Sequence, residues 1–369
     1  MHVSAPTTEG VARVALDYLR DQVVRGWDVT LACPDTGWLG PEAEAAGVRV
    51  LTWRARRSPG PSLAREAATL SRVVATSGPD VVHLHSAKAG LAGRLVLRGR
   101  VPTIFQPHAW SFLAASGPVR AGSLAWERRA VRWTTELVCV SEGERLLGAS
   151  HGVVLAATTV VPNGVDLGRL TAGDDASRSA ARASLGLAEA PTVVCVGRLA
   201  PQKGQADLLE AWPRVRDRAP EATLVLVGAG PDRAELEQRA RSLGGVRLVG
   251  ARSDVATWLA AADVVAVPSR WEGMALVPLE AMASGRSVVA TDVTGVADSV
   301  PAAAGAVVPA ASPAALADAL VVRLLDPALA AAEGTAGRAH VEAHHDAAQA
   351  AQAVAEVTRR LAAPRSPTR

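Results

Sequence analysis

Short apolar runs alternate with longer amphipathic stretches along the whole chain. In the first half they fall at 28–33, 48–53, 81–85, 103–106, 137–140 and 159–161. In the second half they fall at 193–196, 224–227, 246–249, 264–267, 288–290 and 306–308. Unbroken β-branched runs of this length predict parallel strands buried on both faces. Their alternation with helical stretches predicts doubly wound α/β units. The runs form two sets, and 369 residues are enough for each set to build its own core. The turn sequence Pro162-Asn163-Gly164-Val165-Asp166 lies between them, which puts the boundary near residue 168. Only Met1-His2-Val3-Ser4 precede the first loop, implying a very short first strand or a start placed a few codons late.

Chemistry concentrates in the second half. The loop Gly197-Arg198-Leu199-Ala200-Pro201-Gln202-Lys203-Gly204 follows the run at 193–196. Two fixed positive charges at the carboxyl end of a strand suit a diphosphate, because ligands of open α/β sheets sit at those strand ends. Further on, Glu272-Gly-Met-Ala-Leu-Val-Pro-Leu-Glu280 places one carboxylate in a glycine-containing loop and the other on a helix. A helix start offers N–H groups to phosphate oxygens, and a carboxylate one turn in can accept two neighbouring hydroxyls. Cations, amides and acids together describe a site for a nucleotide sugar.

In this order and spacing, Arg198, Lys203, Glu272 and Glu280 resemble the donor site of the family 4 retaining glycosyltransferases, most specifically over 192–291. The resemblance implies the GT-B architecture: α/β, with two Rossmann-like doubly wound domains facing across a cleft. It assigns an N-terminal acceptor domain to 1–168 and a donor domain to 169–343. It also implies a last helix, 344–363, that returns to the first domain, with a disordered tail at 364–369. The implied activity is retaining, metal-independent transfer of a sugar from a nucleoside-diphosphate sugar to a glycan, lipid-linked or small-molecule acceptor, in cell-envelope or exopolysaccharide synthesis, with no cofactor. Arg198 and Lys203 would stabilise the departing diphosphate, and amides of Gly273, Met274, Ala275 and Leu276 would bind the distal phosphate. Glu272 would accept from sugar hydroxyls and Glu280 from the ribose. His108, closing the run 103–106, matches a histidine that family members place beside the donor sugar. Gly10 stands where relatives carry paired glycines near the donor phosphates, but here its neighbour is Glu9. The form His85-Ser-Ala-Lys88-Ala-Gly90 resembles members acting on lipid-linked or exopolysaccharide precursors, making Lys88 a candidate for an acceptor phosphate.

Composition adds detail. The chain has two lysines, Lys88 and Lys203, among many arginines, and Lys203 lies in the phosphate loop. Net charge is +3, but residues 1–168 hold 18 basic and 14 acidic side chains. The excess includes Arg54, Arg56, Arg57, Arg94, Arg98 and Arg100, then Arg128, Arg129 and Arg132 near Trp126 and Trp133. Such clusters suit peripheral contact with an anionic membrane or a lipid-diphosphate acceptor, or else are solvated helix faces. No motif accompanies them that would suggest nucleic acid. Cys33, Cys139 and Cys195 sit in apolar runs without pairing motifs, which suits free thiols in a cytoplasmic protein.

Other classes fit less well. Gly228-Ala-Gly230-Pro-Asp-Arg233 has arginine where a dinucleotide fingerprint needs its third glycine. Asp174-Asp175 and His344-His345-Asp346 lie in polar or helical contexts that do not suggest a metal site. A nucleotide-sugar epimerase or hydrolase of similar fold, and a non-catalytic glycosyltransferase-like partner subunit, stand as alternatives. Acceptor specificity is expected in the loops 52–61 and 112–122.

Overall fold

The structure, a computed structural model, describes residues 1–56 and 60–363. Arg57 of the basic cluster and the tail at 364–369 lie outside the described residues. The chain divides into two compact units, Met1–Asn163 joined by Ala347–Arg369, and Gly164–Asp346. Residues 164–168 belong with the second unit rather than the first. Val165 bridges to Asp346, and its N–H donates to the His345 carbonyl at 2.9 Å.

The first unit is built on β1 (His2–Ser4), β2 (Thr30–Cys33), β3 (Arg49–Thr52), β4 (Val82–His85), β5 (Thr103–Gln106), β6 (Glu136–Cys139) and β7 (Thr158–Val160). Their order is β3-β2-β1-β4-β5-β6-β7, and each pairing is parallel. β1 is short but central, with His2 opposite His83 and Ser4 opposite His85. Successive strand residues point to opposite faces. One face therefore sends Val3, Val82, Leu84, Phe105 and Leu137 into a core with Trp110. The helix Glu9–Val24 carries a second core through Leu16 and Leu19 against Leu31 and Leu39. The helix Ala347–Ala362 packs on Glu9–Val24.

The second unit uses β8 (Thr192–Val196), β9 (Thr223–Val227), β10 (Val246–Gly250), β11 (Val264–Val267), β12 (Ser287–Asp292) and β13 (Gly305–Pro309). The order is β10-β9-β8-β11-β12-β13, again parallel. Its core joins Val193, Leu224 and Val264 to Leu208 and Trp212 on one helix and Leu316 and Leu320 on another. The pattern-based strands and the two-domain α/β class are thus realised. Cys33, Cys139 and Cys195 are free and buried, and burial pushes the Cys33 thiol up to about 11 and Cys195 to about 12. Among the described residues no helix is long and apolar enough to cross a membrane.

Candidate functional site

The second unit gathers the motif residues at the carboxyl ends of its central strands. After β8 the chain runs through Arg198 into a 3-10 turn, Pro201–Lys203, and then a helix, Gln205–Arg218. Gly204 makes that junction at φ 65°, where an added Cβ would lie 1.8 Å from the Pro268 carbonyl oxygen. Only glycine lets this loop lie so close to the end of β11. After β11, the loop brings Glu272 back to the lysine. Lys203 Nζ lies 2.5 Å from Glu272 Oε1, with the two side chains 22% and 7% exposed. The same oxygen accepts from Ser269 Oγ at 2.8 Å, and Gln202 Nε2 donates to the other at 3.3 Å. Gln202 Oε1 in turn accepts from the half-buried Arg198 guanidinium at 3.2 Å. Glu272 thus meets Lys203 directly and Arg198 through Gln202.

Gly273, Met274 and Ala275 lead into the helix Leu276–Ala283. Ala275 offers no side-chain oxygen to cap its first turn. A helix start in that condition presents N–H donors to an anion. The loop is backed by Gly295 at φ 80°, where a Cβ would come within 1.9 Å of the Gly273 carbonyl oxygen. Glu280 sits one turn in, half-buried. A separate cavity of about 520 Å³, lined by Arg178, Arg182, Arg286 and Asp263 among others, opens at the opposite edge, where Pro191, Asp263 and Arg286 precede β8, β11 and β12. It includes none of the motif residues.

In the first unit, His108 follows β5 at φ 59°, a left-handed conformation costly for a side-chain-bearing residue. Burial lowers its pKa to about 3, so the ring is neutral. Its Nε2 lies 3.1 Å from His85 Nδ1. Gly10 is the second residue of Glu9–Val24, directly after Glu9 at φ 65°. Two expectations need correction. Lys88 does not face an acceptor: its Nζ is 2.5 Å from Glu66 Oε2, and both side chains are at most 3% exposed. Arg94 is not a surface cation. It is 1% exposed, pairs with Glu127 at 2.7 Å and lies 3.8 Å over the Phe105 ring.

A histidine group formed by His2, His83 and His85 was not anticipated from the sequence. Its signal was the alternation His83-Leu84-His85, which puts two imidazoles on one face of β4.

Residues 8–169 match the family profile described as Glycosyltransferase Family 4, and residues 190–326 match Glycosyl transferases group 1. The chain is 34% identical over 331 residues to a GDP-mannose-dependent alpha-(1-6)-phosphatidylinositol monomannoside mannosyltransferase of Mycobacterium tuberculosis, covering 83% of each protein. It is 38% identical to a GDP-mannose-dependent monoacylated alpha-(1-6)-phosphatidylinositol monomannoside mannosyltransferase of Corynebacterium glutamicum, over 50% of this chain and 51% of that protein. In fold it matches Anabaena HepE, solved with UDP and glucose, with a TM-score of 0.83 at 23% identity over 97% of this chain and 98% of that one. Both Rossmann-like sheets are thus of the GT-B type. The chain belongs to the family 4 glycosyltransferases of the group 1 type.

Proposed function

We propose that this protein moves a hexose from a nucleoside-diphosphate sugar to a glycan or lipid-linked acceptor, with retention at the anomeric carbon and without a metal ion. The observation that carries the reading is the Arg198–Gln202–Glu272–Lys203 cluster beside the start of Leu276–Ala283. A diphosphate oxygen would compete with Glu272 for the Lys203 ammonium, freeing the carboxylate to accept from a sugar hydroxyl. As the bond from the anomeric carbon to the phosphate oxygen breaks, charge grows on the diphosphate. Arg198, Lys203 and the amides of residues 273–276 would stabilise it by preorganised electrostatics. The acceptor oxygen bonds to the same face of the sugar, and its proton passes to the leaving phosphate. His108 would contact the sugar and Glu280 the ribose.

The GDP-mannose dependence of the relatives makes GDP-mannose the first donor to try and a phosphoinositide-type lipid the first acceptor. Exposed Arg128, Arg129 and Arg132 support peripheral contact with an anionic membrane at the cytoplasmic face. The test is thermal unfolding with GDP, UDP, ADP and dTDP, followed by product analysis with the matching donor. A diphosphate at 100 times its Kd adds about 2.7 kcal/mol to the folded state. Stabilisation by one of them and sugar transfer to a lipid are expected. No shift with any would overturn the reading, and an altered sugar without acceptor would make the protein an epimerase or hydrolase.

A further inference from the structure

The face of the first sheet opposite the Val3–Leu84–Phe105 core carries a polar layer. His2 of β1, His83 and His85 of β4 and Gln106 of β5 lie there, each at most 2% exposed. Tyr18 and Gln22 of Glu9–Val24 meet them: Gln106 Nε2 donates to the Tyr18 hydroxyl at 3.4 Å, and Gln22 bonds His2. Three hydrogen bonds run in series from His108 inward. They join His108 Nε2 to His85 Nδ1 at 3.1 Å, His85 Nε2 to His2 Nδ1 at 2.9 Å, and His2 Nε2 to Gln22 Oε1 at 2.9 Å.

Ring geometry shows what these contacts are. The His2 and His85 rings are 13° from parallel with centroids 5.2 Å apart, and those of His85 and His108 are 25° from parallel at 5.4 Å. In each pair the centroid separation exceeds the N···N distance by the two ring radii, so the nitrogens face each other edge to edge. Two such nitrogens share a proton. A tetrahedral zinc would hold two ligating nitrogens about 3.3 Å apart with both lone pairs converging on the ion rather than facing each other. His83 stacks on His85 at 4.1 Å, and stacked rings direct their lone pairs side by side rather than at one centre.

The series has one polarity. Gln22 Oε1 only accepts, so His2 Nε2 carries a proton. Burial lowers His2 and His108 to about 3 and takes His83 and His85 well below the usual histidine range, so each ring is neutral with one proton. His2 Nδ1 is then bare and His85 Nε2 must donate to it. His85 Nδ1 is bare in turn, and His108 Nε2 must donate.

We propose that His85, His2 and Gln22 are positioning residues that lock His108 as its Nε2–H tautomer, holding Nδ1 as the acceptor for a hydroxyl of the transferred sugar. The hydroxyl part rests on the reading of His108 given above. Because an amide oxygen does not take up the proton, the series locks the ring rather than conducting through it.

The test is nitrogen-15 NMR of the histidine rings in the full protein, alongside turnover. Wild-type His108 is expected to show a protonated Nε2 and a bare Nδ1. His85→Leu should mix the two tautomers and lower kcat at least about 10-fold, as loss of an outer partner does for ligating histidines, with donor KM little changed. His85→Gln, whose amide oxygen can accept from Nε2, should restore both tautomer and kcat. A wild-type His108 protonated at Nδ1, or a His85→Leu protein that folds and keeps both tautomer and kcat, would overturn the lock. The ring signals test the lock whatever the turnover. If they are as expected while His108→Ala keeps full kcat, the lock stands and the sugar-contact reading of His108 fails.

Discussion

Lys203→Ala removes two things, and the geometry separates them. The ammonium is the charge proposed to meet the leaving diphosphate. Losing one preorganised donor of that kind costs about 10²–10³ in kcat, or about 2.7–4 kcal/mol. The substitution also strands the Glu272 carboxylate, which is 7% exposed and, among the described residues, keeps Ser269 Oγ and Gln202 Nε2 as hydrogen-bond donors. An under-satisfied buried polar group costs about 1–3 kcal/mol, more when charged. At about 2–4 °C per kcal/mol for a domain of this size, Tm should fall by roughly 2–12 °C. A second substitution, Glu272→Gln, removes the stranded charge and keeps the shape. Lys203→Ala/Glu272→Gln should therefore recover most of the Tm while turnover stays at or below that of the single variant. The assay pairs calorimetry with release of nucleoside diphosphate from the donor identified by ligand screening. Turnover within about threefold of wild type in Lys203→Ala would refute the leaving-group role, since the expected loss is about 10² or more. Recovery of turnover together with Tm in the double variant would show that stability alone was lost.

Two further outcomes follow from the first unit. Glu9 holds a left-handed backbone at φ 65°, which costs about 1–2 kcal/mol for an L side chain, against about 0.5–1 kcal/mol of extra unfolded-state entropy for glycine. Glu9→Gly should thus raise Tm by a few degrees in calorimetry, and an unchanged or lower Tm would show that the Glu9 side chain repays its strain. Burial raises Glu144 from 4.5 to about 8, although its Oε2 accepts from Val140 N–H at 2.8 Å. Between those values the folded state binds a proton that the unfolded state releases, so this group's contribution to stability falls as pH rises from about 4.5 to about 8. Chemical unfolding of wild type and Glu144→Gln across that range should show a difference that grows with pH in favour of the variant, and a pH-independent difference would refute the assignment.

What the sequence disclosed was governed by distance along the chain. Parallel strands covered on both faces read as Val- and Leu-rich runs, so β2 to β13 were visible locally, while the very short β1 was left open. The Arg198–Lys203 and Glu272–Glu280 motifs were legible because each is carried by one strand end and the loop after it. Their direct pairing was not, since it needs β8 and β11 side by side. Lys88 read as an exposed ligand because Glu66, which neutralises it, sits on a different helix. Arg94 misled for the same reason, its partner Glu127 lying far along the chain. The histidine series depends on the register that sets His2 opposite His83, which residue spacing does not encode.

The fate of the two lysines gives the protein a chemical handle. Lys88 is 2% exposed and ion-paired, and the terminal amine donates to the Val81 carbonyl in a partly buried position. Lys203, at 22% exposure, is the side-chain amine open to solvent. An acylating reagent should therefore mark the folded protein at Lys203 first, and a bound diphosphate should shield it. In a chain this rich in arginine, mass spectrometry of one acylated lysine becomes a footprint of donor occupancy that needs neither a labelled substrate nor knowledge of the acceptor.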